Sequence, residues 1–166
     1  MTKRITISTL DAMKASGDKF VMITAYDATF ARLASEAGAE TILVGDSLGM
    51  VLQGHETTIP VSLDAMTYHT ECVARARPHS LIVADLPFMS FSNADDTLHA
   101  STRLMQAGAQ MVKLEGGTWL SDSIHRLVER GVPVCAHLGL TPQSVNVFGG
   151  YRVQGRTPKE AKSILA

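Results

Sequence analysis

Five short aliphatic runs recur along this chain, and each is followed by a polar or glycine-rich turn and then a longer amphipathic stretch. The runs lie at residues 20–25, 41–44, 81–84, 111–114 and 132–136. They are rich in Val, Ile and Leu and nearly unbroken, not alternating, the pattern of strands buried on both faces in a parallel sheet. Between them, residues 29–37, 62–75 and 120–129 carry helical spacing, as does a stretch that Asn93 or Asp95 caps and that runs to residue 107. Ser62 stands where a helix N-cap belongs, and Gly38, Gly108 and Gly131 stand just past helix ends. Repeated strand–helix units imply right-handed βαβ crossovers. They leave two architectures, an open doubly wound sheet or consecutive staves of a (β/α)8 TIM-type barrel.

The end of the chain bears on that choice. Residues 157–166 read as a helix beginning at a Thr157 cap, with Pro158 in the first turn. A complete barrel takes ~250 residues, and this chain has 166. The expectation is one domain over residues 1–166, a truncated barrel of roughly the first five βα units. Strand 5 would then be an apolar, unpaired edge prone to aggregation. A further helix near the N-terminus, with Ile7, Leu10 and Met13 on one face and Ser8 as its cap, is expected across the barrel bottom or against a neighbour.

Composition narrows the function classes. Apolar residues make up 45% and charged residues 19%, so the chain can build a core. A formal net charge of −1, with no basic cluster among aromatics, gives no reason to expect nucleic acid or an anionic membrane surface. No run approaches the ~20 apolar residues of a membrane span, and no signal peptide is apparent. Cys72 and Cys135 fall in no zinc-ligand spacing and read as thiols in a reducing cytoplasm.

The strand ends are chemically richer. Strand 1 leads into Tyr26 and Asp27, strand 2 into Gly45-Asp46-Ser47 and strand 3 into Asp85. Strand 4 carries Lys113 and ends at Glu115, and strand 5 leads to His137. In parallel α/β folds the strand C-termini share one face, where sites are built. Three carboxylates in one cleft repel unless a cation joins them. Mg²⁺ suits such oxygen ligands, with Asp46 and Asp85 direct and Glu115 direct or through water. Lys113 would neutralise a substrate carboxylate, and a small 2-oxo acid could chelate the metal, which would stabilise its enolate. Blander readings stand beside these. Asp27 could simply cap a helix, Glu115 could pair with Lys113, and His137 could be a structural hydrogen-bonded histidine. The glycines at 45 and 49 lack the Lys-Ser/Thr of a phosphate loop.

The motifs "TAYDATFARLASEAG", "ILVGDSLGMVLQGHETTIPVSLDAMTYHTECVARA", "LIVADLPFMSF", "MVKLEGG" and "VPVCAHLGLTPQSVNVFGGYRVQGR" together closely resemble the ketopantoate hydroxymethyltransferase family, from Ile5 to Arg156. The resemblance implies a (β/α)8 barrel in a homo-oligomer, a decamer in the bacterial form. It implies a one-carbon transferase that moves a hydroxymethyl group from 5,10-methylenetetrahydrofolate to 3-methyl-2-oxobutanoate. Asp46, Asp85 and Glu115 match its Mg²⁺-linked carboxylates. Asp46, Ser47, Asp85 and Lys113 match its keto-acid positions, and His137 matches a histidine of the active-site face. The family's catalytic base is a glutamate at the end of strand 6, expected beyond Ala166, so no residue here takes that role. The loop of Gly149, Gly150 and Tyr151 is expected to close over the site. Two alternatives remain: another 2-oxo-acid enzyme of the phosphoenolpyruvate mutase and isocitrate lyase group, or a non-catalytic half-barrel that binds a metal–oxo-acid complex.

Overall fold

In a computed structural model of the chain, residues 4–165 are described. The five strands form a single parallel sheet in the order β1-β2-β3-β4-β5. They are β1 (Met22–Thr24), β2 (Thr41–Val44), β3 (Leu81–Asp85), β4 (Met111–Glu115) and β5 (Val134–His137). Strand order decides between the two architectures. A doubly wound sheet reverses direction at a switch point, whereas here each strand lies beside its successor, as consecutive staves of a barrel do.

The helices are α1 (Ile7–Ser16), α2 (Ala28–Glu36), the single-turn α3 (Leu48–Val51), α4 (Leu63–Arg75), α5 (Ala94–Gln106), α6 (Ser121–Glu129), the single-turn α7 (Val145–Phe148) and α8 (Pro158–Leu165). The predicted caps hold for four of the helices and fail for α1. Ser62 accepts from the Ala65 amide at 3.1 Å. Asn93, not Asp95, caps α5, accepting from Asp96 at 2.9 Å. Asp27 caps α2 through the Thr29 and Phe30 amides. Thr157 caps α8, with Glu160 bonding back to its amide, and Ala166 lies outside the described residues. The predicted Ser8 cap is corrected to Thr6, which exchanges bonds with Thr9 in a capping box that starts the helix two residues earlier. Ile7, Leu10 and Met13 are half-buried as expected. The Ile5 amide bonds the His79 carbonyl ahead of β3, which ties the start of the chain to the strand N-termini, the bottom of the sheet.

Register divides the sheet into two faces. Parallel pairing sets Ile42 beside Ile82, Ala84 beside Val112, and Leu114 beside Ala136. Ile42, Val44, Ile82, Ala84, Val112 and Leu114 join the main core cluster with Met66 of α4, Leu104 of α5 and Leu127 of α6. Each of those three helix residues is fully buried, worth about 1.5–3 kcal/mol apiece. Alternate residues, Leu43, Val83, Lys113 and Cys135, point to the opposite face. α2 packs on α4, α4 on α5 and α5 on α6, so the helices follow the strands round one side.

The expectation of strands buried on both faces holds for the centre and fails at the flanks. β3 is buried throughout, while all three residues of β1 are exposed and β5 is only half-buried. β1 is also shorter than residues 20–25: only Met22–Thr24 pair with β2, flanked by single bonds from the Thr41 amide to the Val21 carbonyl and from the Ala25 amide to the Leu43 carbonyl. Buried centre and open flanks follow from position, since a flanking strand has a hydrogen-bonded neighbour on one side only.

Candidate active site

Asp46, Asp85, Lys113, Glu115 and His137 meet at the C-terminal ends of β2 to β5. Two register pairs assemble most of the cluster. Asp85 of β3 lies opposite Lys113 of β4, and Glu115 of β4 lies opposite His137 of β5. Side chains of paired residues leave the sheet on the same side, so Lys113 Nζ reaches Asp85 Oδ1 at 2.6 Å and His137 Nδ1 meets Glu115 Oε1 at 2.9 Å. Residues two apart on a strand share a face, which sets Lys113 Nζ 3.8 Å from Glu115 Oε1.

Asp46 arrives differently. The chain leaves β2 at Val44 and turns through Gly45, where a Cβ would lie 2.9 Å from Ser47 Oγ and 3.4 Å from Asp85 Oδ2. Glycine therefore lets the turn close, and the Asp46 amide donates to Asp85 Oδ2 at 3.2 Å. Ser47 Oγ lies 2.9 Å from the Tyr26 hydroxyl at the end of β1. α3 then starts at Leu48. Its Gly49 packs where a Cβ would come within 2.4 Å of Val61 Cγ2.

One residue in the cluster does not follow from the charged strand tips. Gln143, in the 3₁₀ turn Pro142–Ser144 after β5, is buried among them. Its Nε2 donates to Asp46 Oδ2 at 2.8 Å and to the Leu86 carbonyl at 2.9 Å, while its amide donates to Glu115 Oε2 at 3.0 Å. A single residue of the β5 loop thus laces the tips of β2, β3 and β4 together. Gln143 carries no charge and is 97 residues from Asp46. The only local signal is the Thr-Pro that begins its turn.

The electrostatics are those of crowded anions. Asp46, Asp85 and Glu115 are all buried, with Lys113 as the nearby cation. Burial first, then repulsion from Asp85, raises Asp46 from 3.8 to about 7 against the Gln143 hydrogen bond. Burial likewise raises Asp85, against the opposing pull of Lys113. Burial would lower Lys113, but Asp85, Glu115 and Asp46 more than offset it, and its pKa is raised. Lys113 therefore stays charged, and the surplus negative charge falls on the carboxylates.

That donor set suits a hard divalent cation: it is oxygen-rich, acidic beyond its one lysine, and too buried for water to relieve it. In this arrangement the carboxylate oxygens face Lys113, Gln143 and His137. Among the described residues no group of three or more His, Cys, Asp or Glu converges as a ready-made metal cage. A cation would compete with Lys113 for Asp85 and with Gln143 for Asp46. The Gly149–Tyr151 loop crosses toward the same end of the sheet, where the Tyr151 hydroxyl lies 3.5 Å from Met50 Sδ in α3. Asp27 takes the plain cap role and stays outside the cluster.

The chain matches the family described as ketopantoate hydroxymethyltransferase over residues 4–166. It is 59% identical over 161 residues to a 3-methyl-2-oxobutanoate hydroxymethyltransferase of Marinobacter nauticus, covering 97% of this chain and 61% of the relative. To the enzyme of the same name from Burkholderia vietnamiensis it is 60% identical, covering 97% and 59%. The chain thus spans about three-fifths of the length of these relatives. Among solved structures it resembles 2,3-dimethylmalate lyase, of the PEP mutase/isocitrate lyase superfamily, with a TM-score of 0.59 and 17% identity, over 78% of this chain and 51% of that one. It also resembles a phosphonopyruvate hydrolase complex with oxalate and Mg²⁺, with a TM-score of 0.56 and 22% identity, over 69% and 40%. At these identities the likeness is one of fold.

Proposed function

The chain belongs to the ketopantoate hydroxymethyltransferase family, and on that premise we propose that it acts in the hydroxymethylation of 3-methyl-2-oxobutanoate by 5,10-methylenetetrahydrofolate. The observation that carries this reading is the buried set of Asp46, Asp85 and Glu115 around the one ammonium of Lys113. Asp46 and Asp85 would hold Mg²⁺, with Glu115 direct or through water. When bound, the cation supplies Lewis-acid stabilisation of an enolate.

The chain's own residues divide the remaining work. Lys113 receives the keto-acid carboxylate, because it is the cation that points into the cluster. Ser47, held by Tyr26, offers a hydroxyl beside Asp46. Gln143 keeps Asp46 and Glu115 at their places before substrate arrives. His137 fixes the second oxygen of Glu115. Leu43 and Val83, on the same sheet face, suit the branched alkyl group. In keeping with the family reading, we also propose a homo-oligomer in the cytoplasm. Phe30 and Leu33 of α2 are exposed apolar surface of the kind such contacts bury, and no described helix is long and apolar enough to cross a membrane.

Calorimetric titration of 3-methyl-2-oxobutanoate tests the site. Saturable binding is expected with Mg²⁺ and not with EDTA, and the Asp46→Asn/Asp85→Asn double variant should lose it. Metal-dependent binding that survives both changes would defeat the reading.

A further inference from the structure

Beside the carboxylate cluster lies an apolar cavity of about 110 Å³. Phe88, Met89, Phe91 and Trp119 line it, Ser92 and Ser144 add hydroxyls, and its wall toward the cluster is Glu115 and Gln143. Those two are the residues that abut Lys113 and hold Asp46. Whatever occupies this cavity is therefore separated from the keto-acid position by one layer of side chains.

The aromatic wall is built in advance. The rings of Phe91 and Trp119 stack at 6.1 Å with 13° between their planes. Phe91 is buried, but Trp119 is 63% exposed, so one face of the indole is braced and the other is open. Gly116 makes the bracing possible: a Cβ there would lie 2.9 Å from the Trp119 ring and 2.4 Å from Leu120. Across the opening, a tight turn from Pro87 to Ser90 pushes Phe88 and Met89 outward. Met89 sits at φ +62°, a left-handed conformation that is strained for a non-glycine residue and that clusters at binding sites. An exposed indole locked on one side, facing two exposed apolar side chains, loses little freedom when a flat ring enters.

The geometry points to this cavity as the subsite for the planar heteroaromatic ring of the one-carbon donor, stacked on Trp119. The assignment rests on the function proposed for the carboxylate cluster, which requires a reduced pteridine to present its methylene carbon to the keto acid. An aromatic-walled slot bordering Glu115 and Gln143 places a ring within that reach. Hydrogen bonds of Glu115 and Gln143 already serve the cluster, so recognition here comes mainly from stacking.

Trp119 is the only tryptophan in the chain, which gives the test its own reporter. Tetrahydrofolate, without the transferable carbon, is titrated by calorimetry and by indole fluorescence into the whole chain. Saturable binding with quenching is expected. Trp119→Leu and Phe91→Leu should weaken it about threefold to tenfold, the range of one aromatic stack, and Trp119→Phe should restore most of it. Mg²⁺-dependent keto-acid binding should stay within twofold in Trp119→Leu, which shows that the fold is intact. Equal tetrahydrofolate affinity in wild type and Trp119→Leu overturns the subsite. So does absence of tetrahydrofolate binding in a protein that binds the keto acid. Loss of keto-acid binding in the wild type instead strikes the proposed function, and tetrahydrofolate that still stacks on Trp119 then upholds the cavity as a ring site.

Discussion

β3 and β1 belong to one sheet, yet they live in different solvents. Every residue of β3 is buried, and it ends in a buried aspartate that accepts from a lysine and a backbone amide. Every residue of β1 is exposed, although Met22 and Ile23 are as apolar as their counterparts on β3. Composition therefore does not decide where charge can be perturbed. The number of flanking strands and helices does, because burial on all sides is what makes a carboxylate or an ammonium expensive to leave unpaired. The chemistry of this chain is concentrated where that burial is deepest.

The sharpest way to break the contrast is to remove the central cation. Lys113→Met keeps much of the length of the side chain but leaves Asp85 and Glu115 buried without their partner. A loss of about 3–5 kcal/mol in urea-unfolding free energy is expected in EDTA, the cost of breaking one half of a buried ion pair. The exposed ion pair of Arg75 and Glu71 on α4 is the control, and Arg75→Met should change stability by less than about 1 kcal/mol. Equal losses would mean that burial is not what sets the central pair apart.

Apolar truncation sharpens the same contrast without charge. Ile82→Ala, at a fully buried position in β3, should cost about 2–5 kcal/mol, the usual range for a large-to-small core change. Ile23→Ala, in β1 at 41% exposure, should cost under about 1 kcal/mol. A matched pair of urea melts reads both. A large loss at Ile23 would show that β1 is covered in solution, as assembly with other copies would cover it.

The same division explains how much is legible in the sequence. The central strands are, because unbroken Val/Ile/Leu runs require burial on two faces and the ladder supplies it. Residues 41–44 form β2 with the expected bounds. β1 is shorter than its apolar run by residues 20, 21 and 25, since an aliphatic run does not say whether a second strand lies alongside. Caps and stops are legible wherever the signal is local: Ser62, Asp27 and Thr157 bond amides two or three residues away, and Gly38, Gly108 and Gly131 adopt positive φ. The convergence of Asp46, Asp85, Lys113, Glu115 and His137 follows from strand direction alone. Gln143 does not, because a neutral side chain gives no charge to search for and its partners are set by tertiary folding. Gln143→Met should cost about 1–3 kcal/mol, the penalty for leaving buried acceptors on Asp46 and Leu86 unsatisfied. Urea melts with and without Mg²⁺ check it, and a smaller deficit with metal is expected if the cation takes over Asp46.

The smallest effect is a titration, and it belongs to the centre alone. Asp46 binds its proton with a pKa of about 7 in the folded chain against 3.8 for an unburied side chain. A carboxylate with a raised folded pKa stabilises the fold at low pH and loses that contribution as pH rises through the folded value. In EDTA, unfolding free energy should therefore fall by about 1.4 kcal/mol between pH 6 and pH 8, one factor of ten in proton occupancy. Asp46→Asn should flatten that slope. Ile23→Ala should keep it, because the proton resides on the buried side of the sheet and not on the open flank. If Mg²⁺ binds there, it must displace the same proton, so its affinity should climb about tenfold from pH 6 to pH 8 and then level off. A metal affinity flat across that window, with the stability slope intact, would place the cation away from Asp46. A slope that survives Asp46→Asn would assign the proton to another member of the cluster, with Asp85, also raised by burial, the next to replace.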